Sequence, residues 1–250
     1  MDLILETRGL KKHFGALAAV DGIDLKVAKG ELRCIIGPNG AGKTTLFNLI
    51  TGHLKASAGK VFLKGQDITG MPVHEIAGKG IGRKFQIPSI FDDLTVSENM
   101  LAAMIRRTAT DTNPLKAMFG RISSEQEETA RKMLGSVGLT EKANLMAKHL
   151  SHGEKQWLEI IMSVSGEPDL ILLDEPTAGM TMQEADTTAN LLESLAQRTT
   201  VIVIEHDIRF VKKIAKLITV LDRGRVLAEG SVSEIENMES VVDAYLGRGR

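Results

Sequence analysis

The run Gly37-Pro38-Asn39-Gly40-Ala41-Gly42-Lys43-Thr44 constrains this chain more than any other feature, because it fits G-x-x-x-x-G-K-[ST]. Before it stands the apolar run Leu32-Arg33-Cys34-Ile35-Ile36, which reads as a strand, and after it a helical stretch from Lys43 to about His53. Glycines at this spacing let successive backbone N–H groups turn onto phosphate oxygens, while the helix N-terminus adds partial positive charge and Lys43 a full one. Thr44 offers a hydroxyl to magnesium, with Thr45 beside it at the phosphates. A glycine-rich turn that only capped a helix would not need Lys and Thr adjacent at this place. The segment therefore predicts strand, loop and helix around the phosphates of a nucleotide.

A second run, Leu170-Ile171-Leu172-Leu173-Asp174-Glu175, is aliphatic until it ends in two acids. In a doubly wound sheet that places both carboxylates at the ligand-binding edge. Asp174 is then able to hold the magnesium shell, and Glu175 to orient or deprotonate an attacking water. Leu150-Ser151-His152-Gly153-Glu154 opens a further helix with Ser151 at the N-cap and Glu154 three residues on. By itself that is a capping box, although a helix start offering a hydroxyl and backbone donors also suits a γ-phosphate.

Around these runs the chain changes character twice. Short β-type runs at Leu3 to Thr7, Gly22 to Val27 and Lys60 to Leu63 suggest an antiparallel layer. From about Phe91 to Gly166 helical spacing takes over, with a charged stretch at 121–134 (Glu125, Glu127, Glu128, Arg131, Lys132) that reads as a solvated face. Thereafter Leu170 to Leu173 and Val201 to Ile204, separated by a helix over Thr181 to Gln197, give the rhythm of buried parallel strands. A hairpin turning at Asp222-Arg223-Gly224 and a helix from Val232 follow. The division expected is an α/β core with an antiparallel layer at 1–86 and 167–250, and a helical lobe at 87–166.

Composition narrows the partners. A formal net charge of -1 carries no polyelectrolyte signature, so nucleic acid is not an expected partner. The lone Cys34 cannot form an internal disulfide and reads as a small buried residue in a reducing compartment. The N-terminal segment lacks a basic n-region, and no run approaches the ~20 apolar residues of a spanning helix. A cytoplasmic chain that reaches a membrane only through a partner is expected.

In order and spacing these motifs resemble the ATP-binding-cassette (ABC) family over essentially the whole chain. The family signature L-S-G-G-Q is matched by Leu150-Ser151-His152-Gly153-Glu154, leaving Ser151 and Gly153 as the implied phosphate contacts. Gln86, in Arg83-Lys84-Phe85-Gln86, resembles the Q-loop glutamine that approaches magnesium and the water. His206, in Ile204-Glu205-His206-Asp207, resembles the switch histidine at the γ-phosphate, and Phe14 resembles the aromatic that stacks on adenine, although a core phenylalanine is an alternative use for it. Ala178-Gly179-Met180-Thr181 occupies the D-loop position without the usual aspartate. The resemblance implies an α/β P-loop NTPase with a RecA-like mixed sheet, an antiparallel β subdomain and a helical subdomain. It also implies ATP and Mg2+, and a pair of cassettes in which each signature caps the other's ATP.

Gly80 to Gln86, the insertion at Asp111 to Ser124, Asp174 to Met180 and Val241 to Gly247 are similar to one importer branch, serving branched-chain amino acids, urea and short amides. Leu150 to Gly153 with Lys155-Gln156-Trp157-Leu158-Glu159-Ile160 looks most like its urea-type subunits. That branch implies transmembrane permease subunits, a second ATPase subunit that is a copy or a paralogue, indirect service of an extracytoplasmic solute-binding protein, and a place on the inner face of the plasma membrane. A soluble cassette acting on nucleic acid or ribosomes is the alternative. It would commonly carry a coiled-coil insertion, basic linker or tandem cassette, and the sequence has none.

Overall fold

The computed structural model describes residues 2–84, 90–108, 123–238 and 241. They fall into two compact units. The first comprises Met1–Arg83, Asp169–Pro176 and Leu192–Arg250, the second Lys84–Pro168 and Thr177–Leu191.

In the first unit, β1 (Leu3–Phe14) and β2 (Leu17–Ala28) form a long hairpin, and β4 (Ala58–Leu63) and β5 (Gln66–Asp67) complete an antiparallel sheet of order β2-β1-β4-β5. The hairpin outruns the apolar runs that announced it. Register shifts between Thr7 and Leu10 and again before His13 break the alternation on which a strand is recognised. The second sheet has the order β10-β9-β3-β8-β7-β6. Its centre, β3 (Leu32–Ile36), runs parallel to β8 (Thr200–Ile204) and β9 (Leu217–Asp222). β7 (Leu170–Asp174) runs parallel to β8, and β10 (Arg225–Gly230) returns antiparallel along β9. Every residue of β3, β7 and β8 is buried, and apart from Arg33, Asp174 and Thr200 all are apolar, as in strands covered on both faces. Helix α1 (Lys43–Ile50) shares one apolar cluster with both sheets, including Leu5, Leu25, Ile35, Phe47, Leu172 and Ile202. Burying side chains of this size contributes roughly 1.5–3 kcal/mol each. Cys34 is free and buried, and burial pushes its thiol up.

Several elements of this unit are not expected from the sequence, among them α2 (Val73–Gly78), the edge strand β6 (Ile81–Lys84) and β5, whose residues read as a turn. The unit also holds α7 (Ile208–Ile214), capped by the Asp207 carboxylate, and α8 (Val232–Glu236).

The second unit contains α3 (Val96–Thr108), α4 (Ser124–Ser136), α5 (His152–Val164) and the part of α6 (Met182–Ala196) that reaches Leu191. Thr177–Leu191, placed with the core by the sequence rhythm, clusters here. α4 starts at a Ser123–Gln126 capping box and exposes an i,i+4 pair, Glu128 with Lys132, while Ala130 and Leu134 are buried. The expected insertion at Asp111 to Ser124 lies largely outside the described residues. No helix among the described residues is long and apolar enough to cross a membrane.

Candidate active site

The loop 37–42 leaves β3 and turns into α1 past two glycines, Gly37 and Gly42, where a side chain does not fit. Gly42 is left-handed (φ 99°), and a Cβ there would lie 2.3 Å from the Ala19 carbonyl oxygen. At Gly37 a Cβ would meet the Leu221 carbonyl oxygen at 2.2 Å. The β9–β10 turn fixes the loop from the other side: the Gly224 N–H donates to the Ala41 carbonyl (3.0 Å), and the Asp21 N–H to the Gly224 carbonyl (2.8 Å). α1 has no side-chain cap and no acid in its first turn, so its leading N–H groups are left to an anion.

Lys43 is 8% exposed, and its ammonium donates to the carbonyls of Gly37 (2.7 Å) and Pro38 (3.1 Å). Burial lowers its pKa, and the charges of Glu175 and Asp174 oppose that shift. Asp174, the last residue of β7, is 3% exposed. Burial raises its pKa, against which a hydrogen bond from Thr44 and the Arg83 charge act. Its Oδ2 is buried without a hydrogen-bond partner among the described residues, and Arg83 Nη2 stands 4.0 Å from it. One threonine hydroxyl and one buried, incompletely satisfied carboxylate are the hard oxygen donors a magnesium ion takes when phosphates complete its shell. No group of three or more His, Cys, Asp or Glu among the described residues forms a self-sufficient metal cluster.

Glu175 follows in a left-handed conformation (φ 47°), its N–H donating to the Ile204 carbonyl at the end of β8 (2.9 Å). Its Oε1 lies 3.5 Å from His206 Nδ1. His206 is held from beneath by the buried Glu205, whose Oε2 accepts its backbone N–H (3.1 Å). Phe14 sits near the hairpin tip, 48% exposed, with Lys12 Nζ 5.1 Å from its ring centroid. It is therefore not a core phenylalanine. Pro38, Asn39, Gly40, Ala41 and Thr45 lie in or just after the loop as expected. Gln86 lies outside the described residues.

Ser151 and Gly153 belong to the second unit. Ser151 caps α5, its hydroxyl accepting the Glu154 N–H (3.2 Å) while Glu154 accepts the Ser151 N–H (3.0 Å). Lys142 holds the same glutamate at 2.5 Å. Arg83, Glu205 and Gly224 carried no role on sequence grounds. Arg83 stood in the quoted run before Gln86, but its neighbours, Asn48 (2.7 Å), Thr51 (2.9 Å) and Asp174, lie far away in the chain.

A phosphate loop backed by a parallel sheet, a buried acid at the next-but-one strand and a glutamate–histidine pair beside it define a P-loop nucleotide hydrolase. Residues 20–178 match the family described as ABC transporter. The chain is 40% identical to the high-affinity branched-chain amino acid transport ATP-binding protein BraF of Pseudomonas aeruginosa, over 98% of each chain. It is 38% identical to LivG of Escherichia coli, of the same description, again over 98% of each. The crystal structure of the ADP conformation of MJ1267, an ATP-binding cassette of an ABC transporter, superposes with a TM-score of 0.85 at 33% identity, covering 99% of this chain and 100% of that one. The chain belongs to the ABC transporter family, as an ATP-binding and ATP-hydrolysing subunit.

Proposed function

We propose that this chain energises an importer of a small polar solute, with branched-chain amino acids as the first candidates and urea or short amides as the others. The observation that carries the catalytic part is the convergence of Lys43, Thr44, Asp174, Glu175 and His206 at the carboxyl edge of the parallel strands. The solute class is supported by relatives whose names specify branched-chain amino acid transport. The similarity of Leu150 to Gly153 to urea-type subunits keeps urea in the set.

In this reading the loop N–H groups and Lys43 bind the β- and γ-phosphates of ATP, and Phe14 stacks on adenine. Thr44 and Asp174, with Gln86, hold Mg2+. Bound there, the ion neutralises charge on the phosphate oxygens. Glu175 accepts the proton of the attacking water or orients it, and His206 contacts the γ-phosphate and positions the same water. Ser151 and Gly153 face the γ-phosphate held by a second cassette, so the chain works in a pair beside two permease subunits on the inner membrane face. A solute-binding protein outside delivers the cargo.

Affinity purification from native membranes, with mass spectrometry of everything recovered, tests the proposal. Two polytopic membrane proteins and a second cassette are expected. A solute-binding protein recovered with them identifies the cargo by ligand titration with leucine, urea and acetamide. Recovery of ribosomal or nucleic-acid-associated proteins alone would overturn the transport reading.

A further inference from the structure

Two departures from the family pattern, His152 in place of glycine and a D-loop stretch without aspartate, come together in the second unit. His152 Nε2 lies 2.9 Å from the Ala178 carbonyl oxygen. A carbonyl only accepts, so in this contact Nε2 is the donor, and the Gln156 side-chain nitrogen 3.4 Å away does not donate to it. The imidazole rests against Gly179, which is left-handed (φ 74°) and where a Cβ would meet Nε2 at 3.2 Å and Cδ2 at 3.3 Å. A side chain at 179 would therefore press on the His152 ring.

The next two contacts extend this seam. A Cβ on Gly153 would lie 2.3 Å from Glu184 Oε1, and Glu184 is the carboxylate that accepts from the Thr181 N–H (2.8 Å) and hydroxyl (2.9 Å) ahead of α6. One turn further along α5, Trp157 Nε1 donates to Thr188 Oγ1 (2.9 Å). The start of α5 is thus hydrogen-bonded to the Ala178–Thr181 turn through His152 and to α6 through Trp157, with Gly153 packed close against Glu184 between them.

We infer that His152 is a positioning residue for ATP hydrolysis: its imidazole fixes Ser151 and Gly153 against the turn that follows Asp174-Glu175 in the chain. A glycine at 152 could not reach that turn. The inference rests on Ser151 and Gly153 being phosphate contacts.

The test uses the purified full-length chain with His152→Ala, His152→Gln and Ser151→Ala. His152→Ala is expected to lower kcat roughly tenfold, since a small misplacement of a phosphate contact suffices for that, while ATP affinity by calorimetry stays within about twofold. Trp157 is the chain's one tryptophan, so its quenching by acrylamide reports the seam directly. Quenching should rise in His152→Ala, and His152→Gln, whose amide N–H can donate to the same carbonyl, should restore both quenching and kcat. Wild-type kcat in His152→Ala overturns the inference, as does a loss that glutamine does not rescue or that leaves Trp157 unchanged. If Ser151→Ala lowers turnover and His152→Ala does not, only this inference falls. If Ser151→Ala is also silent, the phosphate-contact reading falls with it.

Discussion

Glu175 is held in a backbone conformation that costs a non-glycine residue on the order of 1–3 kcal/mol. It is kept there by the end of β8, through its N–H to the Ile204 carbonyl, which places its carboxylate 3.5 Å from His206. Glu175→Gln preserves shape and hydrogen bonding while removing the proton acceptor. ATP binding should be retained and phosphate release should fall by roughly 10²–10⁴, and near-normal turnover would remove Glu175 from the role. Lys43 differs, because its buried ammonium already braces the loop through two carbonyls. Lys43→Ala should weaken ATP binding by at least about 1.5 kcal/mol, roughly tenfold in Kd, and an unchanged affinity by calorimetry would contradict this.

Among the elements, the β1–β2 hairpin gives the clearest separation of binding from folding. Phe14 is half exposed near its tip and contributes little to the core. Phe14→Ala should therefore leave the melting temperature unchanged and weaken ATP by ~1–3 kcal/mol, the range of base–aromatic stacking, with Phe14→Trp retaining it. Unaltered affinity in Phe14→Ala would show that the ring does not stack. The hairpin also shows what the sequence disclosed. Its apolar runs were readable, but its length was hidden by bulges and by the polar Lys11-Lys12-His13. The phosphate loop and the Asp174-Glu175 edge were legible because their chemistry is written in consecutive residues whose local conformation carries them. Arg83, Glu205 and the Gly224 brace were not, since each acquires meaning only through strands and turns that tertiary pairing brings alongside. The contact between His152 and Gly179 was illegible for the same reason.

For the molecule as a whole, the long-range ion pairs of the first unit set a measurable pH dependence. Asp21 accepts from Arg225 and from Lys11, and these partners hold its carboxyl at about 2, below the ordinary 3.8. The folded value lies below the unfolded one, so the stabilisation is complete above about pH 4 and is lost as the pH falls toward about 2. Asp21→Asn should narrow the difference in melting temperature between about pH 6 and about pH 3, most visibly at low salt because the group is accessible. An equal difference in both proteins would show that the pair contributes nothing. The sheet order has another consequence, which concerns synthesis. β3 carries the phosphate loop, yet both strands that flank it come from the far end of the chain, beginning at Thr200 and Leu217. A ribosome must therefore translate most of the message before Leu32–Ile36 gains either neighbour. Until then the nascent polypeptide holds out an unpaired strand that is apolar but for Arg33, so the interval of greatest exposure to chaperones and to aggregation precedes the first moment at which nucleotide can be bound.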